Sequence, residues 1–151
     1  MNYNKKILDD NEKTVGASMY GLATELFPIC RSITGQGLRD SLKILKREMP
    51  TLQLKKIATG KQVFDWKIPQ EWNIRDAYVA NMNGNKIIDF QNNNLHLVSY
   101  SEPIDTVLSF TELDNHLHSL PEQPDAIPYV TSYYNRTWGF CLSHAQREQI
   151  D

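Results

Sequence analysis

Residues 31–39 read Arg31-Ser32-Ile33-Thr34-Gly35-Gln36-Gly37-Leu38-Arg39, a short polar stretch that could hold an anion. Glycines at 35 and 37 let a ligand approach the backbone, and the unpaired N–H groups that open a helix attract negative charge. Arg31 and Arg39 add positive charge, and Ser32 and Thr34 add hydroxyl donors. A carboxylate or phosphate suits that set. The alternative is a plain helix-to-helix turn whose arginines are solvated or paired with local carboxylates. It is not a P-loop, because the glycine spacing differs and no lysine follows the second glycine.

The segment from Tyr129 to His144 offers a different chemistry. Tyr133, Tyr134, Trp138 and Phe140 lie close in sequence to Thr131, Ser132, Arg136 and His144. Large rings beside polar heads suit a ligand pocket, and they equally suit an ordinary pair of core strands. Upstream, Asp65 to Asp76 is rich in tryptophan and charge. Trp66 and Trp72, with Pro69, either pin a β unit to the rest of the chain or, with Glu71, face a carbohydrate or peptide. Metal chemistry has less support. The histidines are His96, His116, His118 and His144, and no His-x-x-Glu-His or Cys-x-x-Cys spacing occurs. His116 and His118, two apart on an expected short helix, face different ways. Each histidine reads as a surface or structurally satisfied residue. Cys30 and Cys141 have no histidine near them in sequence, which weakens a cysteine nucleophile.

Composition sets the frame for these candidates. The chain has 151 residues, enough for one domain or two small ones, and is 40% hydrophobic and 23% charged, as globular proteins are. Sixteen Lys and Arg against eighteen Asp and Glu leave a net charge of −2, which argues against nucleic acid as a partner. No apolar run approaches the roughly 20 residues of a membrane helix, so no membrane role is expected. The start, MNYNKKILDDNEK, lacks the apolar stretch of a signal peptide. Two cysteines fit a reducing compartment, and a cytoplasmic location is expected.

The elements that must position the candidates follow from periodicity. The first dozen residues read as a frayed leader. Thr14 then caps a helix carrying Met19, Leu22, Ala23, Leu26 and Phe27, and Pro28 limits it. A second helix carries Leu38, Leu42, Ile44 and Leu45, so the two form a hairpin with residues 31–39 at the elbow. From Thr51 the period changes to strand alternation at Leu52 and Leu54, then Val63–Pro69 is extended. Asn83-Gly84 marks a tight turn between Ala77–Ala80 and Lys86–Phe90, and Leu95–Tyr100 is one more strand. Ser109 and Glu112 form a capping-box pattern that should start a helix running to Leu120. Two aromatic strands follow, Tyr129–Tyr134 and Trp138–Leu142. Ser143 and Gln146 repeat the capping-box pattern close to Asp151, so the chain is expected to stop before its fold does. The expected class is α+β or α/β, with residues 51–102 as an inserted antiparallel β unit.

Four motifs occur in one order: residues 31–39, Val63 to Ile74, Ile127 to Tyr134, and Trp138 to His144. In that order they resemble the N-terminal part of the bacterial aminopeptidase-like zinc peptidase family, often encoded near surface-polysaccharide genes. The resemblance spans about residues 18–150. It implies a phosphorylase/hydrolase-like peptidase body, here partial and formed by 1–50 and 103–151, with a small β-sandwich domain inserted at 51–102. It implies zinc in the complete protein, held by His, Asp and Glu residues downstream of this chain, and no metal or catalytic residue in the chain itself. Metal-assisted hydrolysis of a peptide or small amide is the implied reaction. Arg31, Ser32, Thr34, Arg39, Tyr133, Tyr134, Trp138 and His144 are the residues expected to border substrate.

Three readings stand at this point: the N-terminal portion of such a hydrolase, inactive alone; a non-catalytic module that binds a peptide or glycan; and a truncated frame without function. The first and third expect self-association through an unfinished sheet.

Overall fold

A computed structural model describes residues 3–133 and 135–150, with side chains from residue 14 onward. Of the residues expected to border substrate, Tyr134 lies outside that set. The chain divides into two units, Met1–Lys56 and Ile57–Asp151.

The first unit is helical. Helix α1 spans Tyr3–Leu26 and α2 spans Gln36–Glu48. Helix α1 therefore starts well before Thr14, and from Tyr3 onward the expected frayed leader is corrected to helix, in a stretch that carries several strong helix formers. Helix α1 ends two residues before Pro28, which cannot donate the next backbone bond. In α2, Leu38, Leu42, Ile44 and Leu45 are half-buried, and Ser41 is buried with its hydroxyl donating to the Gly37 carbonyl at 2.9 Å. Arg47 of α2 donates two bonds to the carboxylate of Glu25 in α1, at 2.9 and 2.6 Å. Both groups are exposed, so this pair orients more than it stabilises.

The second unit is built from very short strands. β1 (Gln62–Val63) pairs antiparallel with β2 (Trp66–Lys67), with Phe64 and Asp65 at the turn. β3 (Tyr78–Ala80) pairs antiparallel with β4 (Lys86–Asp89), matching Val79 to Ile88, with a bulge after Val79. The turn between them is the one Asn83-Gly84 announces. Gly84 has φ 83°, and the Asn81 side chain accepts the N–H groups of Asn83 and Asn85. A 3-10 turn at Asn94–His96 is capped by Asn93, and α3 spans Phe110–Asp114. β5 (Leu117–His118) pairs in parallel with β6 (Phe140–Cys141), and α4 spans His144–Arg147. Leu97 bridges Phe140 from the other side, so β6 lies between Leu97 and β5.

The core gathers on these strands. Ile88, Leu117, Phe140 and Leu142 are buried together, with Ala77, Val79, Leu97, Leu113, Trp138 and Ile150 packed against them. Each large side chain removed from water there contributes about 1.5–3 kcal/mol.

Several expected elements differ. Both capping boxes form, at Ser109 with Glu112 and at Ser143 with Gln146. The first helix nevertheless stops at Asp114 instead of reaching Leu120. Residues 116–118 turn into the sheet, where His116 and His118 accept backbone bonds from Phe140 and Leu142. Leu95–Tyr100 is not a continuous strand: its first part is the 3-10 turn, and Tyr100 has φ 69°, which ends extension. Tyr129–Tyr133 makes only a bridge, Thr131 to Ser99. Residues 51–57 form no strand, despite the alternation at Leu52 and Leu54. The architecture is mixed α+β with small two-stranded sheets.

Candidate functional site

The expected site residues fall in the two units, which are taken in turn. In the first, Arg31 donates from Nη1 to the Leu26 carbonyl at 2.6 Å. Its cation thus sits at the carbonyl end of α1, where the helix dipole favours positive charge. Arg39 donates from Nε to the Gln36 side chain at 3.0 Å, and Gln36 donates on to Asp40. Lys43 also donates to Asp40, and these two donors hold the Asp40 carboxyl below its ordinary range. Ser32 and Thr34 are half-buried at the elbow, and neither is without a partner. Gly35, at φ 90°, is the N-cap of α2 and supplies no side-chain cap. Gly37 serves a different need: a Cβ there would stand 1.9 Å from the Cys30 carbonyl oxygen. The elbow is therefore a tight crossing of backbone held by local polar pairs, with the first N–H groups of α2 beside it.

In the second unit, Trp138 and Tyr133 belong to different ring clusters. Trp138 stacks on His116 with centroids 3.7 Å apart, meets Phe140 edge-on, and packs on the core. His116 Nδ1 lies 2.9 Å from the Trp138 carbonyl. Tyr133 stacks on Tyr100 at 5.5 Å, and Tyr100 stacks on Trp72 at 5.7 Å. Three rings thus form a ladder. Trp72 Nε1 donates to the Ser101 carbonyl at 2.9 Å, which fixes the inner end. Both tyrosines hold left-handed backbone, φ 69° at Tyr100 and 45° at Tyr133. A bulky residue there costs about 1–3 kcal/mol, a strain that persists only where the surroundings impose it.

The surroundings are a seam between two segments. Ser132 N–H donates to the Ser99 carbonyl at 2.9 Å, and its hydroxyl donates to the Tyr100 carbonyl at 3.0 Å. Glu102 N–H donates to the Thr137 carbonyl at 2.9 Å, and Arg136 Nε donates to the Glu102 carboxylate at 2.6 Å. Ser101 Oγ donates to the Val98 carbonyl and accepts from Gly139 N–H.

His144 lies beyond the carboxyl end of β6 and begins α4. Its Nδ1 is 3.0 Å from Ser119 Oγ, which follows β5, and its Nε2 is 3.8 Å from Glu148. Arg147 donates from Nε and Nη2 to Asp114, at 3.0 and 2.6 Å, and from Nη1 to the Leu117 carbonyl. The cluster ties α4 to the loop around β5. Burial, then the charges of Arg147 and His116, push the His118 imidazole below its ordinary pKa. Burial pushes the Cys141 thiol up to about 11, so it is a poor nucleophile, and Cys30 is raised by the same cause.

Sequence reasoning missed Tyr100, Ser119 and Arg147. Tyr100 gives no local sign, since left-handed backbone is commonest at Gly, Asn and Asp. Ser119 and His144 meet across 25 residues of chain. Among the described residues, no three His, Cys, Asp or Glu side chains converge to hold a metal ion. No described helix is long and apolar enough to cross a membrane.

The family described as a domain of unknown function, DUF2172, matches residues 71–151, more than half of the chain, and the chain belongs to it. It is similar to a protein of Clostridium acetobutylicum named "Putative polysaccharide biosynthesis protein with aminopeptidase-like domain", with 46% identity over 140 residues, which is 93% of this chain and 32% of that one. A crystal structure of a "putative peptidase" from Clostridium acetobutylicum is similar with a TM-score of 0.90 at 46% identity, covering 98% of this chain and 34% of that one. The chain spans about a third of the length of both relatives. The aminopeptidase-like resemblance carried by the four motifs agrees with these relatives, and the mixed α+β architecture matches the solved structure.

Proposed function

We propose that this chain is the N-terminal portion of a zinc-dependent aminopeptidase-like hydrolase and is catalytically silent by itself. One observation carries the proposal: 98% of the chain matches the "putative peptidase" structure at a TM-score of 0.90 and 46% identity. The residues at hand do not fit a zinc centre. His96 and His116 each direct Nδ1 at a backbone carbonyl and His144 directs Nδ1 at Ser119, and among the described residues no carboxylates join them in a ligand set. In this reading the metal ligands lie downstream of residue 151, and no step of hydrolysis is assigned to residues 1–151.

What these residues would contribute is substrate contact. The N–H groups opening α2, with Arg31, Ser32, Thr34 and Arg39, would face a substrate carboxylate. In the second unit, taken by itself, Tyr133, Tyr134, Trp138 and His144 would border a peptide or small amide. The Clostridium acetobutylicum relative is named for polysaccharide biosynthesis, which supports a role for this reaction there, and a cytoplasmic location accords with that reading.

The test compares this chain with its longer Clostridium acetobutylicum relative, using aminoacyl p-nitroanilides with added zinc. The longer protein hydrolyses them and loses activity to a chelator, and the 151-residue chain does nothing above background. Turnover by the short chain, or chelator-resistant turnover by the long one, refutes the proposal.

A further inference from the structure

We propose that residues 103–109 are an interaction strand for a second copy of this chain, the two strands pairing antiparallel about Thr106. The inference does not rest on the peptidase reading, because it is drawn from the backbone and side chains of that one segment of the second unit.

Three observations combine. Between Glu102 and Ser109 the chain runs without turn, bend or regular element. It is tied at both ends, by Glu102 N–H donating to the Thr137 carbonyl and by the capping box at Ser109. Among the described residues, no backbone–backbone hydrogen bond reaches the N–H or C=O groups of residues 103–108. The hydrogen bond inside the stretch is Thr106 Oγ1 donating to the Val107 carbonyl at 3.5 Å. The second observation is apolar exposure: Val107 is 77% exposed, Ile104 45% and Leu108 37%. Ile104, Thr106 and Val107 are also β-branched, the types that suit a strand. A run that is held at its ends, unpaired and of that composition offers itself to another strand.

The third observation selects the partner, because the segment is complementary to itself. In a two-fold pairing centred on Thr106, Ile104 faces Leu108 of the other copy, Thr106 faces Thr106, and Asp105 faces Val107. Apolar pairs and Thr–Thr pairs stabilise, and no charge stands directly opposite its like. The hydrogen-bonding parity agrees. In an antiparallel pair, alternate residues turn their N–H and C=O toward the partner. With Ile104, Thr106 and Leu108 in that role, Pro103 and Ser109 point away from it. Pro103 has no N–H to give, and Ser109 N–H already donates to the Glu112 carboxylate at 2.9 Å. Such a contact is isologous, so it closes at two copies. The sheet edge of an unrelated protein would supply the backbone bonds without this matching of side chains, so a second copy uses more of what is present.

Sedimentation velocity of the 151-residue chain, from about 5 to 500 μM, tests the proposal. One short strand from each copy makes a small interface, so half-dissociation is expected between about 10 and 500 μM. Thr106→Pro removes the central N–H at an exposed position and should weaken the dimer at least about 10-fold with an unchanged melt. Asp105→Asn should tighten it, because the two carboxylates lie diagonally across the pair, about 7–8 Å apart. Thr106→Cys gives a second readout that does not depend on the proline variant. Its paired Cα atoms would stand about 5.5 Å apart, within disulfide range, so oxidation should yield a covalent dimer beyond what the parent gives. Thr111→Cys, in α3, should not. A chain that stays monomeric at about 500 μM overturns the proposal. So does a dimer indifferent to Thr106→Pro, or cross-linking through Thr111→Cys as ready as through Thr106→Cys.

Discussion

Replacing Gly37 by alanine tests the crossing at the elbow, because two physical rules predict opposite signs. Gly37 is the second residue of α2, and helix propensity alone favours alanine there by up to about 1 kcal/mol. The structure says otherwise. The new Cβ would meet the Cys30 carbonyl oxygen at 1.9 Å, its carbon at 2.8 Å and the Arg31 Cα at 3.1 Å, all backbone atoms. The closest of these is short of ordinary contact by more than about 1 Å, so either the 27–35 segment or the first turn of α2 must shift. Overpacking of that kind costs about 1–3 kcal/mol, which leaves a net loss of up to about 2 kcal/mol after the propensity gain. Gly21 in α1 is the matched control, since nothing lies within 4 Å of its missing Cβ. Gly21→Ala should stabilise by up to about 1 kcal/mol. Far-UV circular dichroism during heating reads both, with about 4–8 °C per kcal/mol expected for a unit of this size. If Gly37→Ala melts at or above the parent, as Gly21→Ala should, the close approach at Cys30 is wrong.

Four further outcomes follow from particular groups. His118 is held below its ordinary pKa of 6.5 mainly by burial, so on acidification the unfolded chain takes the proton first. The folded state therefore keeps its full stability above about pH 6.5 and loses some as pH falls below it, and His118→Gln should flatten urea midpoints measured across that range. Cys141 is fully buried with its thiol raised to about 11, so a thiol reagent at pH near 8 should leave it unmodified in the folded chain and label it once urea unfolds the protein. Arg147→Lys should lower stability by about 1–2 kcal/mol in denaturant titrations, because an ammonium cannot hold Asp114 and the Leu117 carbonyl in one fork. Gly139→Ala should destabilise too, since its Cβ would stand 2.9 Å from the His116 carbonyl oxygen within the β5–β6 pairing. A thermal melt of that variant matching the parent would refute the pairing.

Local chemistry made much of this fold legible. Ser109 with Glu112 and Ser143 with Gln146 form the expected caps because a capping box is closed by residues three apart. Asn83-Gly84 makes its turn for the same reason: positive φ at Gly84 and the Asn81 side chain are decided within five residues. What failed is long-range. Leu113 and Leu117 have helical spacing, yet Leu117 pairs with Phe140, 23 positions on, and no neighbour of Leu117 announces that. Tertiary pairing overrode propensity. The site divided along the same line. Tyr133 and Trp138 looked like one aromatic group, and the fold sends one to Tyr100 and the other to His116. Arg31 reads as a ligand-binding cation, and its bond to the Leu26 carbonyl at the end of α1 is one that no sequence pattern announces. In each case residue type was readable and the partner was not, because the partner is set by packing.

The central claim is that this chain is one portion of a zinc-dependent hydrolase and holds no metal of its own. Its most direct test is zinc titration by calorimetry of the 151-residue chain beside the longer Clostridium acetobutylicum relative, both stripped with chelator first. The account predicts stoichiometric zinc uptake by the longer protein and no saturable heat from the short one. Stoichiometric zinc binding by the short chain, or none by the longer protein, would contradict it.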